Sequence, residues 1–333
     1  MGTLSIMAGI LLSCFSQSGP GYAVVNLSVN FLREAPDYTA ELGTQALMGS
    51  VVRIIGEDGY WKQVITEEPY TAWCTDLGLV EMSDTEIREY IEAPKYICTS
   101  WRSTVLTEAS VKSDKICDLV EGDILRQGMK RGHPTMKNGF AQVVLPDGRK
   151  GYVRKKDMMD YARWEETRMP DAEHIIKEAM KFTGVPYLWG GASPNGVDCS
   201  GLVRHVFLMN GIELPRNASS QAASGKDLKI PFDPGLCSAP QDMETLKAEM
   251  LRRTESLMPG DLLFFGTPGT DGGKDRITHV GIYLGNGKMI HSSHVVRTNS
   301  LIPGETGYYE NSYRLIKACR ILPDNDFSRV KDK

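Results

Sequence analysis

The stretch from Gly184 to Val203 constrains this chain more than any other. Its first part, Gly184-Val185-Pro186-Tyr187-Leu188-Trp189-Gly190-Gly191-Ala192-Ser193-Pro194-Asn195-Gly196, is too rich in Gly, Pro and Asn to be anything but loop. The tetrad Asp198-Cys199-Ser200-Gly201 follows, and after it the apolar positions Leu202, Val203, Val206, Phe207 and Leu208. Their spacing is one face of a helix that starts near Cys199, with Asp198 or Ser200 as the capping residue. A thiol in that place feels the positive end of the helix dipole and unpaired backbone N–H groups. Both are expected to lower its pKa and favour the nucleophilic thiolate.

An arbitrary free cysteine is a small buried hydrophobe. Cys199 is set apart by what lies downstream. Ile277-Thr278-His279-Val280-Gly281-Ile282-Tyr283-Leu284 has the β-branched content of a strand, and Gly285-Asn286-Gly287 closes it as a turn. Lys288-Met289-Ile290-His291-Ser292-Ser293 returns as a second strand. The hairpin therefore carries His279 on one strand and His291 on the next, a general base and a group to orient it. His294, at the end of the second strand, is the other candidate orienter and needs an odd turn to serve. His174 and His205 read as surface or packing residues.

Five motifs in a fixed order carry a resemblance: Tyr187-Leu188-Trp189-Gly190-Gly191, Asp198-Cys199-Ser200-Gly201-Leu202, Gly260-Asp261-Leu262-Leu263-Phe264-Phe265, Thr278-His279-Val280-Gly281 and Ile290-His291-Ser292. Across residues 170–322 the chain resembles the NlpC/P60 cysteine peptidases, a papain-like clan acting on bacterial cell walls. The resemblance implies an α+β catalytic domain with Cys199 as nucleophile, His279 as base and His291 as orienter. It implies Tyr187 as a second oxyanion donor beside the Cys199 N–H; packing as a plain aromatic is the alternative for that ring.

The chain has 333 residues, more than one domain usually needs, and its 41% hydrophobic and 24% charged content is that of a globular protein. A net charge of −4 without a basic run gives no support for binding nucleic acid. Ile6 to Cys14 is a short apolar run, too short to span a bilayer, that fits the core of an export signal (residues 1–19). Leu11-Leu12-Ser13-Cys14 resembles a lipobox with Cys14 as the lipidated residue, although no Lys or Arg precedes the run. Export to the cell envelope, into the periplasm with a lipid anchor at Cys14, is the expectation and the cytoplasm the alternative. The seven cysteines (14, 74, 98, 117, 199, 237 and 319) make no CxxC pair and no metal-ligand cluster, so neither metal nor other cofactor is expected.

Residues 20–160 have another texture, of short strand-like runs between Gly/Asp turns. Val24 to Leu32, Val51 to Ile55, Tyr60 to Val64 and Ala72-Trp73-Cys74 form a first pass that resembles a bacterial SH3-like (SH3b) barrel at 20–80. Val120 to Leu125, Phe140 to Val144 and Gly151-Tyr152-Val153 form a looser second pass at 96–160, interrupted by Met129 to Asn138. The segment 81–95 reads as a connecting helix, with Ser83 as cap and Glu86 completing a capping box. Asp160 to Met169 reads as a polar linker, and Pro170-Asp171-Ala172-Glu173 opens a helix running to about Phe182.

The pairing of SH3b barrels with such a catalytic domain resembles a group of γ-D-glutamyl-L-diamino acid endopeptidases (dipeptidyl-peptidase VI). That implies hydrolysis of the γ-D-glutamyl–diamino acid bond in muropeptides with a free N-terminal L-Ala, by a monomer whose partners are peptidoglycan-derived peptides. It further implies Glu41 and Tyr70 as readers of the ammonium, Asp198 and Ser200 flanking the nucleophile, and Trp189 lining the cleft. The alternative is a polymer-directed hydrolase that its SH3b domains tether to the wall.

Overall fold

A computed structural model describes residues 21–66, 69–232, 242–269 and 273–322. The chain divides after Arg168 into two compact units. Cys14 and Cys237 lie outside the described residues.

The first unit holds two antiparallel sheets, each curled around its own core. In the first, the strand order is Leu42–Leu47, Val29–Arg33, Thr71–Thr75, Trp61–Ile65, Val51–Asp58, Tyr22–Val25, Leu79–Met82. Alternate residues of these strands, among them Val25, Leu32, Val52, Val64 and Cys74, meet in one buried cluster. The outermost strands do not pair with each other, so the expected barrel is an open, SH3-like sheet. The single run read from Val24 to Leu32 is two strands, because Ser28 between them turns its hydroxyl to Asp123, 2.9 Å away.

The second sheet orders Lys115–Val120, Arg102–Leu106, Lys150–Arg154, Phe140–Val144, Ile124–Gln127, Lys95–Cys98 and Met158–Asp160, and is likewise open. The interruption at Met129 to Asn138 makes short ribbons, Met129–Lys130 against His133–Pro134 and Met136–Lys137 against the Phe140 strand. Asp123 ties the two sheets together. Its buried carboxylate accepts from the N–H of Val120 and Met48 and from Ser28, and Gly49, with φ +90°, lets the first sheet come against Ile124. The connecting helix is Asp84–Glu92, with the capping box between Ser83 and Glu86 formed as expected. The stretch read as linker contains a helix, Tyr161–Thr167, because Tyr161 and Trp164 are buried and Asp160 caps it through Arg163 N–H at 3.0 Å.

The second unit is built on a six-stranded antiparallel sheet, in the order Lys226–Asp227, Leu315–Arg320, Leu262–Thr267, Arg276–Gly285, Lys288–Ser293, Val295–Ser300. Helices Ala172–Lys181 and Cys199–Met209 pack against each other, and the latter also against the Arg276 and Lys288 strands. The helix Cys199–Met209 is buried nearly all round, as its run of apolar residues requires. Helix Met243–Thr254 covers a core of Leu263, Phe265, Met289, Leu301 and Leu315. Gly260-Asp261 is structural: Asp261 accepts from Met258 N–H and holds Arg320 bidentately at 2.7 and 2.9 Å.

Candidate active site

The glycine-rich loop and the nucleophile helix are locked together by Asp198. Its carboxylate caps the helix through Gly201 N–H at 2.7 Å, holds the loop through Gly190 N–H at 3.0 Å, and takes the Ser200 hydroxyl at 3.2 Å. Of the two capping candidates, Asp198 does the capping. A carboxylate at a helix N-terminus suits the dipole, but a nearly buried one needs a counter-charge. Arg216 supplies it, with two guanidinium nitrogens on the two carboxylate oxygens at 3.1 and 2.5 Å and a third bond to Ser200 Oγ at 2.9 Å. The loop approaches the helix so closely that a Cβ on Gly201 would stand 1.9 Å from the Gly191 carbonyl. That contact explains the glycine after Cys-Ser.

Cys199 is the first residue of this helix and is half-buried. The expected lowering of its pKa is reversed. Burial, with the Asp198 carboxylate next, pushes the thiol up to about 11, against the N–H groups of Val280 and Ser200 and the Arg216 charge. The dipole and the N–H donors are present, but desolvation outweighs them. The helix that Cys199 begins packs against both histidine strands, Arg276–Gly285 and Lys288–Ser293.

The hairpin is as the sequence indicates: strands Arg276–Gly285 and Lys288–Ser293 around Asn286, whose φ is +50°. It brings His279 Nε2 to 2.7 Å from Nδ1 of the fully buried His291. His291 is therefore the ring set on His279, the place an orienter would take. His294 turns the corner with φ +64°, and its carbonyl accepts from Tyr187 N–H. Burial, then the neighbouring His291, lowers the pKa of His279 to about 3, and burial also lowers His291 to about 4. Both rings are neutral at neutral pH, as a base awaiting a thiol proton must be.

Aromatic rings wall the pair. The His279 ring lies 5.7 Å from Phe265 and 6.1 Å from Tyr309, and Tyr309 meets His291 edge-on at 4.9 Å. Burial, then the Cys199 thiol and Asp198, raises the Tyr187 phenol to about 12, so it stays a hydrogen-bond donor in the pH range of catalysis. Ser200 is buried and bound to Asp198 and Arg216, while Trp189 is exposed. No group of three or more His, Cys, Asp or Glu side chains suited to a metal occurs among the described residues.

The two residues expected to read an ammonium are in the first unit. Tyr70 donates its hydroxyl to Glu34, at 2.5 Å. Glu34 and Glu41 meet across the neck of a loop, Glu34 N–H on the Glu41 carbonyl, and both side chains are exposed. Gly43 makes the room: a Cβ there would meet Glu34 Oε1 at 2.2 Å and Tyr70 Oη at 2.9 Å. Sequence reasoning also missed Arg216, Asn299 and Tyr309. The Leu214-Pro215-Arg216 stretch offers no chemical signal, since its partner Asp198 lies 18 residues back.

Residues 184–316 match the NlpC/P60 family, and residues 32–76 match the bacterial dipeptidyl-peptidase Sh3 domain. A γ-D-glutamyl-L-lysine dipeptidyl-peptidase of Bacillus cereus is 28% identical over 293 residues, 85% of this chain and 76% of its own length. Dipeptidyl-peptidase 6 of Lysinibacillus sphaericus is 28% identical, over 84% of this chain and 90% of its own. The crystal structure of an NlpC/P60 family protein from Bacillus cereus superposes with a TM-score of 0.69, at 23% identity, over 91% of this chain and all of that one. That likeness is one of fold. No helix among the described residues is long and apolar enough to cross a membrane.

Proposed function

For a chain that carries an NlpC/P60 domain and a bacterial SH3 domain, we propose a cysteine peptidase that hydrolyses the γ-D-glutamyl–diamino acid bond of cell-wall muropeptides. The observation that carries this reading is the hydrogen-bonded His279–His291 pair on two strands that pack against a helix beginning with a cysteine. The named dipeptidyl-peptidases that cover most of this chain supply the substrate class.

In this reading the resting pair is a thiol and a neutral imidazole. As the substrate carbonyl enters, the Cys199 proton passes to His279 and the sulfur attacks the carbonyl carbon. The His279 nitrogen that takes the proton is Nδ1, because Nε2 is engaged with His291. The developing oxyanion is held by the Cys199 N–H at the helix start and by the Tyr187 hydroxyl. The imidazolium then gives its proton to the departing amine of the diamino acid, leaving a thioester on Cys199. Water, deprotonated by His279, releases the γ-D-glutamyl acid and restores the thiol.

The substrates are free, already trimmed peptides with an N-terminal L-Ala. A carboxylate bonded to a phenol is the chemistry that holds an ammonium, so Glu34 with Tyr70 joins Glu41 as a reader of that group. The substrates arise at the bacterial envelope, where the Ile6 to Cys14 run, outside the described residues, would direct the chain.

The test is hydrolysis of L-Ala-γ-D-Glu-diaminopimelate against its N-acetylated form, with wild type, Cys199→Ala and Glu34→Gln. The expected result is cleavage of the free peptide alone, none by Cys199→Ala, and a lost preference in Glu34→Gln. Retained hydrolysis in Cys199→Ala would overturn the mechanism. Equal cleavage of both peptides by the wild type would shift the reading to a polymer-directed wall hydrolase.

A further inference from the structure

The hydrogen bonds of the histidine pair do not end at His291. Its Nε2 lies 2.9 Å from Oδ1 of Asn299, a buried residue on the adjoining strand Val295–Ser300, and Asn299 Nδ2 donates to the Gly307 carbonyl at 2.6 Å. A carbonyl oxygen can only accept, so the amide nitrogen must face Gly307 and the amide oxygen must face His291. An oxygen facing His291 Nε2 can only accept as well, so that nitrogen bears the proton and Nδ1 is bare. A bare Nδ1 at 2.7 Å from His279 Nε2 accepts a hydrogen bond from it, so His279 Nε2 keeps its proton. The end of the chain is a bare Nδ1 on His279, the form a base needs.

We propose that Asn299 is a positioning residue: held by the Gly307 carbonyl, it sets the tautomers of both His291 and His279. This rests on the assignment of His279 as the base. The anchor is itself well held. Gly307 O also accepts from Ser300 N–H at 3.0 Å, Tyr309 N–H returns to the Ser300 carbonyl at 2.8 Å, and the Ser300 hydroxyl binds Glu305 at 2.7 Å. The same loop brings Tyr309 against both imidazoles, so one segment fixes the protons and walls off the rings. An amide is suited to this place because it both donates and accepts; a carboxylate would face the Gly307 carbonyl without a proton, and an apolar side chain would leave His291 free to choose either tautomer.

The titratable and charged groups around His291 are His279, Tyr309 and Arg297, which lies opposite it in the strand register. The experiment reads three things. In ¹⁵N spectra of the histidine-labelled wild-type chain, without substrate, the Nε2 of His279 and His291 are expected to carry protons and both Nδ1 to be bare. In Asn299→Leu, kcat on the γ-D-glutamyl peptide is expected to fall at least about 10-fold with KM nearly unchanged, a wrong tautomer costing up to about 10⁴-fold. In Asn299→Asp, which still accepts from His291, kcat is expected to exceed that of the Leu variant. Its negative charge favours the imidazolium, so the acid limb of kcat/KM moves to higher pH than in the wild type. A bare Nε2 on wild-type His291, or an Asn299→Leu enzyme with unchanged kcat and pH profile, would overturn the proposal. The spectra need no turnover, so they separate its failure from failure of the peptidase reading.

Discussion

Removing Arg216 is expected to cost more stability than any other single truncation at this site. The guanidinium and the Asp198 carboxylate expose only 2% and 11% of their side chains, and the pair is joined by two nitrogen–oxygen contacts. Arg216→Met leaves the methylene volume but strands a nearly buried carboxylate, and breaking such a pair costs about 3–5 kcal/mol. Asp198 keeps its bonds to Gly190 N–H, Gly201 N–H and Ser200, which places the expected loss toward the lower end. At roughly 2–4 °C per kcal/mol for a unit of this size, the loss is a fall in Tm of about 6–20 °C. Scanning calorimetry of the wild type, Arg216→Met, Asp198→Asn and the double variant measures it. Neutralising the carboxylate removes the stranded charge, so the double variant is expected to lose less than the two single losses added, with a coupling of about 1–3 kcal/mol. Arg216→Lys is expected to fall between, since an ammonium cannot reproduce the two-nitrogen contact. A loss below about 1 kcal/mol in Arg216→Met, or strict additivity in the double, would refute the reasoning.

Two other expectations are simpler to check. Burial raises the Cys199 thiol to about 11 and lowers His279 to about 3, so between those values the pair is thiol and imidazole, and the thiolate fraction grows with pH. Alkylation of Cys199 by iodoacetamide, followed by mass spectrometry, should therefore accelerate by about tenfold per pH unit through neutrality, and a plateau below pH 7 would show an ion pair instead. Gly201→Ala places a methyl 1.9 Å from the Gly191 carbonyl, and backbone cannot yield as a flexible side chain does. The variant is expected to lose over about 2 kcal/mol of stability and nearly all activity, as measured by urea unfolding and peptide hydrolysis; an unaffected variant would mean the loop is not locked to the helix.

What could be read from the sequence was local. Ser83 with Glu86, Asp171 and Asp198 each announce a helix start within three residues, and each forms the expected cap. The Gly285-Asn286-Gly287 turn fixes a hairpin that sets His291 against Gly281, two residues from His279 and on the same face. The partners that complete the site were not legible because they come from afar. Arg216 reaches back to the helix cap, Asn299 belongs to a third strand whose register with His291 follows only from the pairing of Lys288–Ser293 with Val295–Ser300, and Tyr309 arrives on a loop. Glu34 gives no signal in the sequence, and only the fold shows that Gly43 leaves its space to that carboxylate and the Tyr70 hydroxyl. The thiol is the plainest case. A helix dipole is visible in a sequence and burial is not, and here burial decides the sign.

That sign also explains why an acidic residue can precede the nucleophile. A bare carboxylate next to a thiol holds its proton on, which opposes attack, so Asp198 alone would be a poor neighbour. Arg216 offsets part of that charge while the carboxylate keeps its backbone bonds to Gly190 and Gly201. The result separates two duties that a sequence cannot tell apart. Asp198 sets where the thiol stands, by fastening loop to helix. When the thiol loses its proton is set elsewhere, by a neutral imidazole whose bare nitrogen is fixed three hydrogen bonds away at the Gly307 carbonyl. Losses at Arg216 should thus appear chiefly as stability, and losses at Asn299 chiefly as kcat, though both residues lie outside the reacting atoms.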